Sequence, residues 1–440
     1  MPRKLTLAPL VAATYFMVAG GPYGLEDLVA SAGYGKAIAI LLLTPIVWSL
    51  PAALMVGELA SAIPAEGGFY VWVRRALGPF AGFMEAWLSL LASVFDMAIY
   101  PTLFVLYLSQ LWPALGGPAA ATALGAGMIG LCTLWNIRGA KAVGGGALVM
   151  TVLLLAPFAV MSVLAPFAHL GHAGGAAPPV TPAQGAAGGG LLAGLLVAMW
   201  NYMGWDNAST IAGEVDRPQR TYPRAMLVAV ALVALSYVIP VAAVRHAGID
   251  PRGWSTGAWV GAATAIGGRW LGVAVVAGGV LCAVGMFNAL VLSYSRLPLV
   301  LAEDRFLPAL FARRDPRTGA PIHAILGCAV AYALALRLGF ERLVELDVML
   351  YGLSLILEFV ALVALRVREP LLERPFRLPG GTLGAVALGV APTALILVAL
   401  VAGRNEHMGS ISALALGALL ILAGPVIFAV TRRRRRPPIT

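Results

Sequence analysis

Twelve stretches of apolar sequence, each long enough to cross a bilayer, leave this 440-residue chain few ways to fold. A helix needs roughly 20 apolar residues to span about 30 Å of hydrocarbon. Inside that layer every backbone N–H and C=O must be bonded within the protein, which selects helices over open strands. The stretches lie near 9–30, 36–60, 80–110, 119–137, 147–168 and 190–214. Six more lie near 224–245, 270–301, 321–338, 345–366, 383–402 and 410–430. Charged residues make up only 11% of the chain, against about 25% in a soluble domain. The expected fold is all-α and integral to the membrane, with about 12 transmembrane helices.

The distribution of charge tests that reading. A net charge of +10 would suit nucleic acid if it formed one patch, but the basic residues lie in short loops between apolar spans. With the N-terminus in the cytoplasm, 23 of the 30 basic residues fall on the inner side and 7 on the outer. The inner set includes Arg74, Arg75, Arg138, Arg217, Arg296, Arg314, Arg366 and Arg374. This is the positive-inside asymmetry, so both termini are expected in the cytoplasm of a plasma or bacterial inner membrane. The run Arg432 to Arg436 reads as a topology anchor beside anionic lipid. The first apolar stretch runs into Glu26-Asp27 rather than a small-residue cleavage site, so it is expected to remain as a helix.

Catalytic signatures are missing. No Gly-rich phosphate loop ends in Lys-Ser/Thr, and the five histidines are scattered. Cys132, Cys282 and Cys328 show no ligand or disulfide spacing and read as small core residues. No enzyme activity, cofactor or metal is expected.

Two apolar stretches carry interruptions. The first contains Gly20-Gly21-Pro22-Tyr23-Gly24, and the sixth contains Trp200-Asn201-Tyr202-Met203-Gly204-Trp205-Asp206-Asn207. Glycine permits unusual backbone and proline withholds a donor, so helical bonding can lapse at both places. Broken helices at matching positions of two halves mark the central site of a secondary transporter. Residues 1–168, helices 1–5, are then expected to form one repeat, and residues 190–366, helices 6–10, its inverted copy. Residues 383–431 would add two helices outside that core, and residues 432–440 a basic tail. The Ala/Gly/Pro-rich segment between the fifth and sixth helices separates the halves. The whole chain forms one transporter domain.

Carboxylates at membrane depth are the candidate chemistry, because an ionised group there must face protein or water. Asp206, flanked by Trp200, Tyr202 and Trp205, offers a carboxylate among aromatic faces that attract alkylammonium groups. Its alternative role is to tie up backbone N–H groups of the break. Gly20, Gly21 and Gly24 would shape the first break, and Glu26 with Asp27 would either meet a cationic substrate or cap the second half-helix. On the third helix Ser89, Ser93, Asp96 and Tyr100 share one face. Asp347, Tyr351, Ser354 and Glu358 repeat the pattern on the tenth. Asp96 and Glu358 are the proton-coupling candidates. Substrate contact and structural hydrogen bonding are the alternatives for either stripe, and Tyr100 joins the substrate-binding set. Glu58 and Glu214 are gate candidates, read either as ion-pair partners of Arg74, Arg75 or Arg217 or as carboxylates simply placed at the interface. Lys141 reads as a loop residue, so no lysine is expected to stand in for sodium. Asn288, Ser293 and Ser295 read either as sodium ligands or as packing residues.

Specific strings then show a likeness. Gly20-Gly21-Pro22-Tyr23-Gly24-Leu25-Glu26-Asp27, Trp48-Ser49-Leu50-Pro51, Gly57-Glu58-Leu59-Ala60, Asp96-Met97-Ala98-Ile99-Tyr100-Pro101, Ala212-Gly213-Glu214-Val215 and Arg374-Pro375-Phe376 resemble the amino acid–polyamine–organocation superfamily. More narrowly they are similar to its plant polyamine:proton symporter branch. The resemblance implies a five-plus-five inverted-repeat fold with broken helices 1 and 6, alternating access and proton-coupled uptake. Expected partners are a small-molecule substrate (a polyamine, an organic amine or an amino acid), protons and membrane lipid, with no nucleic acid. A proton-coupled amino acid permease is the first alternative, and a nutrient receptor without transport the second.

Overall fold

The computed structural model describes residues 5–139, 147–171, 191–336, 340–402, 407–408 and 411–434. Lys141 and most of the Ala/Gly/Pro-rich linker lie outside the described residues. Among those described, helices joined by loops make up the chain, with one antiparallel pair of two-residue strands, His407–Met408 and Ile411–Ser412, and one isolated parallel bridge between Leu5 and Val215. Eight helical stretches are long and apolar enough to cross a membrane, and four shorter apolar helices accompany them.

In chain order the helices are α1 (Leu7–Val18), α2 (Glu26–Thr44), α3 (Leu50–Ala62), α4 (Gly68–Leu77), α5 (Pro79–Ser109) and α6 (Pro118–Ile137). There follow α7 (Ala147–Gly171), α8 (Leu191–Asn201), α9 (Pro218–His246), α10 (Ala258–Gly267) and α11 (Arg269–Tyr294). The last are α12 (Arg296–Glu303), α13 (Ile322–Ala335), α14 (Phe340–Arg368), α15 (Gly381–Ala402) and α16 (Ala413–Arg434).

Both expected breaks are present. α1 stops after 12 residues, where Ala19 turns extended (φ −142°, ψ 141°), and helix resumes only at Glu26. α8 stops after 11 residues, and beyond Gly204 the chain continues as tighter three-residue turns over Trp205–Glu214. At 1.5 Å per residue, half-helices of this length rise only about 16–18 Å, roughly half a bilayer. Gly204 adopts φ +88°, and a Cβ there would collide with the carbonyl oxygen of Met17. The two breaks therefore touch each other, and the close approach needs glycine. Inside α2, Gly33 (φ 70°, ψ 161°) divides the second half of the first helix from the next span. Pro45 begins a wider turn, Pro45–Ser49, in which the Leu50 amide bonds back to the Pro45 carbonyl. Such local widening re-satisfies backbone where proline withholds its donor.

A second internal echo was not anticipated. α4 and α10 are each ten residues long and each lies between two left-handed glycines, Gly67 with Gly78 and Gly257 with Gly268. Gly78 (φ 92°, ψ 176°) and Gly268 (φ 84°, ψ 178°) have nearly the same geometry, and each leads directly into a long helix, α5 or α11.

The core packs around these breaks. α5 and α14 make the most extensive helix–helix contact among the described residues, and α11 also lies against α5. The expected eighth span near 270–301 is divided at Ser295 into α11 and the short α12.

Candidate functional site

The two breaks, with α5, α11 and α14, surround a narrow cavity whose free space, about 20 Å³, holds little more than a water molecule. Met17, Val18 and Gly20 line it from the first break, and Trp200, Asn201, Met203 and Gly204 from the second. α5 supplies Asp96, Tyr100 and Leu103, α11 supplies Cys282, Met286 and Tyr294, and α14 supplies Asp347 and Tyr351. Among the described residues, no lysine, arginine or histidine lines the wall. Gly20 admits the α11 side chains because a Cβ there would collide with the Cys282 sulfur.

Asp96 and Asp347 are both buried, yet they differ in what surrounds them. Asp96 accepts three hydrogen bonds: from the Tyr100 hydroxyl at 2.7 Å, the Trp200 indole N–H at 3.3 Å and the Tyr294 hydroxyl at 3.1 Å. Asp347 makes no side-chain hydrogen bond or ion pair among the described residues. A buried carboxylate without a partner carries the full cost of its desolvation, and this one faces open volume. The rings of Tyr100 and Trp200 lie 6.4 Å apart, tilted by 34°. Two carboxylates among five hydroxyl- or N–H-bearing aromatics (Tyr23, Tyr100, Trp200, Tyr294 and Tyr351), with no cation on the wall among the described residues, make a receptacle for a positively charged guest.

Not every expected residue lies on that wall. Gly20, Tyr100, Trp200 and Asp96 do; Gly21, Gly24, Glu26, Asp27, Tyr202, Trp205, Asp206 and Glu358 do not. Glu26 is fully buried and engaged by three donors: the Gly24 amide at 2.7 Å, the Gly257 amide at 2.9 Å and the Tyr107 hydroxyl. It caps its own half-helix and ties it to the start of α10, away from the cavity wall. Asp27 accepts from Thr256 at 3.0 Å beside that same loop. Tyr202 donates to the Leu41 carbonyl at 2.8 Å, and its own carbonyl accepts from both Trp48 and Trp205. These aromatics fasten the second break to its neighbours.

Asp206 sits just behind the wall. Tyr351 donates to its carboxylate, and the Asp206 and Asn207 amides add support. Asp206 is thus held by Tyr351, which lines the cavity while Asp206 does not. Glu58 is also fully buried, but its partners are Arg366, Arg374 and the Leu378 amide rather than Arg74, Arg75 or Arg217. Arg74 pairs with Asp304 and Arg75 with Glu369. The loop after α14 folds back, with Phe376 packed over Gly57, and so brings those arginines to Glu58. The Glu214 side chain lies outside the described residues.

Sequence reasoning missed Asp347, Tyr294 and Tyr351 as wall residues. Asp347 and Tyr351 head the α14 stripe, so the signal existed; the choice within the stripe fell on Glu358. Tyr294 adjoins Ser293 and Ser295, which had drawn attention as sodium ligands. Ser293 instead donates to the Asn207 side chain at 2.8 Å, and Asn136 donates to Asn288 at 2.9 Å. Both act as ties between elements. No cluster of His, Cys, Asp and Glu suited to a metal occurs among the described residues.

Comparison with known proteins adds an independent line. The profile of the family described as amino acid permease matches residues 11–426. The chain is 38% identical over 429 residues to polyamine transporter PUT1 of Oryza sativa subsp. japonica, covering 95% of this chain and 78% of that one. It is 34% identical over 427 residues to polyamine transporter RMV1 of Arabidopsis thaliana, covering 96% and 84%. A bacterial relative, the uncharacterized transporter lpg1691 of Legionella pneumophila, is 26% identical over 356 residues.

Proposed function

The chain belongs to the amino acid permease family, and from that premise we propose that its cavity carries polyamines into the cell, coupled to protons, by alternating access. It is a multi-pass membrane transporter rather than an enzyme. The observation that carries the substrate reading is the pairing of Asp96 with the unpartnered Asp347 on a wall without basic residues. A di- or triamine brings the charge that Asp347 lacks. An amino acid would need its carboxylate held as well, and the half-helix end best placed for that is capped by Glu26.

Supporting the transport cycle are the paired breaks and the paired glycine-bounded helices α4 and α10. They favour residues 1–168 and 190–366 as inverted repeats that rock about the cavity. The asymmetry of basic loops favours both termini on the cytoplasmic side of the cell membrane. Glu58 with Arg366 and Arg374, and Asp304 with Arg74, then close the cytoplasmic end.

The test is uptake of radiolabelled putrescine, spermidine and an amino acid panel into proteoliposomes, with and without an acid-outside gradient. Polyamine accumulation that requires the gradient and persists when choline replaces sodium is expected. Transport of amino acids in place of polyamines would overturn the substrate reading. Strict sodium dependence would overturn the coupling.

A further inference from the structure

Beneath the cavity lies a second acidic level that the substrate reading does not use. On α5, Glu85 stands 11 residues before Asp96; on α14, Glu358 stands 11 residues after Asp347. Eleven residues are close to three helical turns, so each pair shares a helix face and is separated by about 16 Å. The two helices run antiparallel, since Arg75 beside the start of α5 pairs with Glu369 at the end of α14, and Arg368 donates to the Ala76 carbonyl. The opposed spacing sets Asp96 against Asp347 at the cavity and Glu85 against Glu358 one level nearer the arginine-rich end.

Glu85 and Glu358 are both fully buried. Ser89 donates to one oxygen of Glu85 at 2.8 Å. The other oxygen of Glu85 and both oxygens of Glu358 have no hydrogen-bond partner among the described residues. Glu358 feels the charge of Glu85, and both carboxyls feel that of Asp206. The surrounding elements bring no compensating cation. On α4, Arg74 and Arg75 are committed to Asp304 and Glu369, and on α3, Glu58 is taken by Arg366 and Arg374. On α12, Arg296 lies 3.7 Å from Glu66 and Glu303 pairs with Arg314. α8 and α15 have no ionisable residue, α13 has His323, Cys328 and Tyr332, and α16 only its terminal arginines. Tyr351, about two helical turns above Glu358, bonds Asp206 and the Gly204 amide.

Two carboxyl groups sharing a dry site cannot both ionise at modest cost. We propose that Glu85 and Glu358 form a proton-holding pair, separate from the cation site at Asp96 and Asp347, through which proton movement drives the transport cycle. A proton arriving from the outer solution by way of the cavity and Asp206 binds one carboxylate oxygen, and its O–H then donates to the facing carboxylate. That bond holds α5 and α14 together. Release of the proton to the cytoplasm leaves two like charges without a partner, and their repulsion favours parting of the helices at the arginine-rich end. One proton enters and one leaves per cycle.

This inference rests on the reading of proton-coupled amine uptake, and one set of experiments separates the two. Wild-type protein and the Glu85→Gln and Glu358→Gln variants are reconstituted with a pH-reporting dye inside the vesicles. Radiolabelled spermidine uptake is followed under an acid-outside gradient and in counterflow without a gradient. Both variants are expected to lose accumulation above equilibrium and substrate-coupled internal acidification while keeping counterflow. Gln mimics the neutral acid, so the thermal midpoint of Glu358→Gln should equal or exceed that of wild type. Its decline with rising pH should flatten. Wild-type proton uptake and accumulation in either folded variant would overturn the proposal, as would a Glu358→Gln protein that melts earlier at every pH. If the wild-type protein moves spermidine without protons, the coupling reading fails instead.

Discussion

Tyr351 donates its hydroxyl to Asp206 at 2.5 Å and accepts the Gly204 amide at 3.0 Å through the same oxygen. One side chain on α14 thereby joins the cavity wall, the carboxylate behind it and the break in the second half of the chain. Removing that oxygen separates all three.

Tyr351→Phe keeps the ring on the wall but leaves a buried carboxylate and a buried N–H short of a partner. Each such loss costs about 1–3 kcal/mol. We expect a lower thermal midpoint and a transport rate reduced about tenfold or more, with the larger effect on rate than on amine affinity. Scintillation-proximity binding and initial-rate uptake on the same preparation check this, and unchanged rates would dismiss Tyr351 as a link.

Asp96 and Asp347 should respond differently to neutralisation. Either Asn substitution should weaken amine binding by about ten- to a hundredfold, as for loss of a charge-assisted contact of about 1.5–3 kcal/mol. Asp96→Asn should also lower stability, because three donors converge on that carboxylate. Asp347→Asn should leave stability unchanged or raise it, because no partner is lost. Wild-type spermidine affinity in Asp347→Asn would remove it from the site.

Breaking the Glu58–Arg366 pair should be severe. Both side chains are essentially inaccessible, and removing one partner of a buried pair costs about 3–5 kcal/mol. Glu58→Gln and Arg366→Met are each expected to reduce the yield of monodisperse protein and its melting temperature. The double substitution should recover part of that loss. Additive losses in this cycle would mean that the pair is not coupled.

Gly204→Ala introduces a Cβ at φ +88° that collides with the Met17 carbonyl. The expected result is loss of transport with insertion retained, since only the contact between the two breaks is disturbed. Uptake beside size-exclusion profiles reads both; normal uptake would show that the breaks need not touch.

Much of the architecture was legible locally. Apolar length set the spans to within a few residues: 80–110 was expected where α5 covers Pro79–Ser109, and 119–137 where α6 covers Pro118–Ile137. Glycine, proline and polar clusters marked both breaks, because helical bonding fails where those residues sit, whatever surrounds them. The stripes on α5 and α14 followed from helical spacing alone.

What the sequence by itself determined was therefore a bundle of broken helices with carboxylates at membrane depth. Which carboxylate meets the cavity was decided only in the tertiary structure. A span that is apolar all round has no periodicity to say which face meets a cavity and which meets another helix. The aromatic neighbours of Asp206 in sequence do not reveal its partner, Tyr351, which lies 145 residues away. Glu58 lies near Arg74 and Arg75 in sequence, yet it pairs with Arg366 across 308 residues because the loop beyond α14 folds back over α3. Buried charge must find a partner or a proton, and in this chain the partners are supplied by helices remote in sequence.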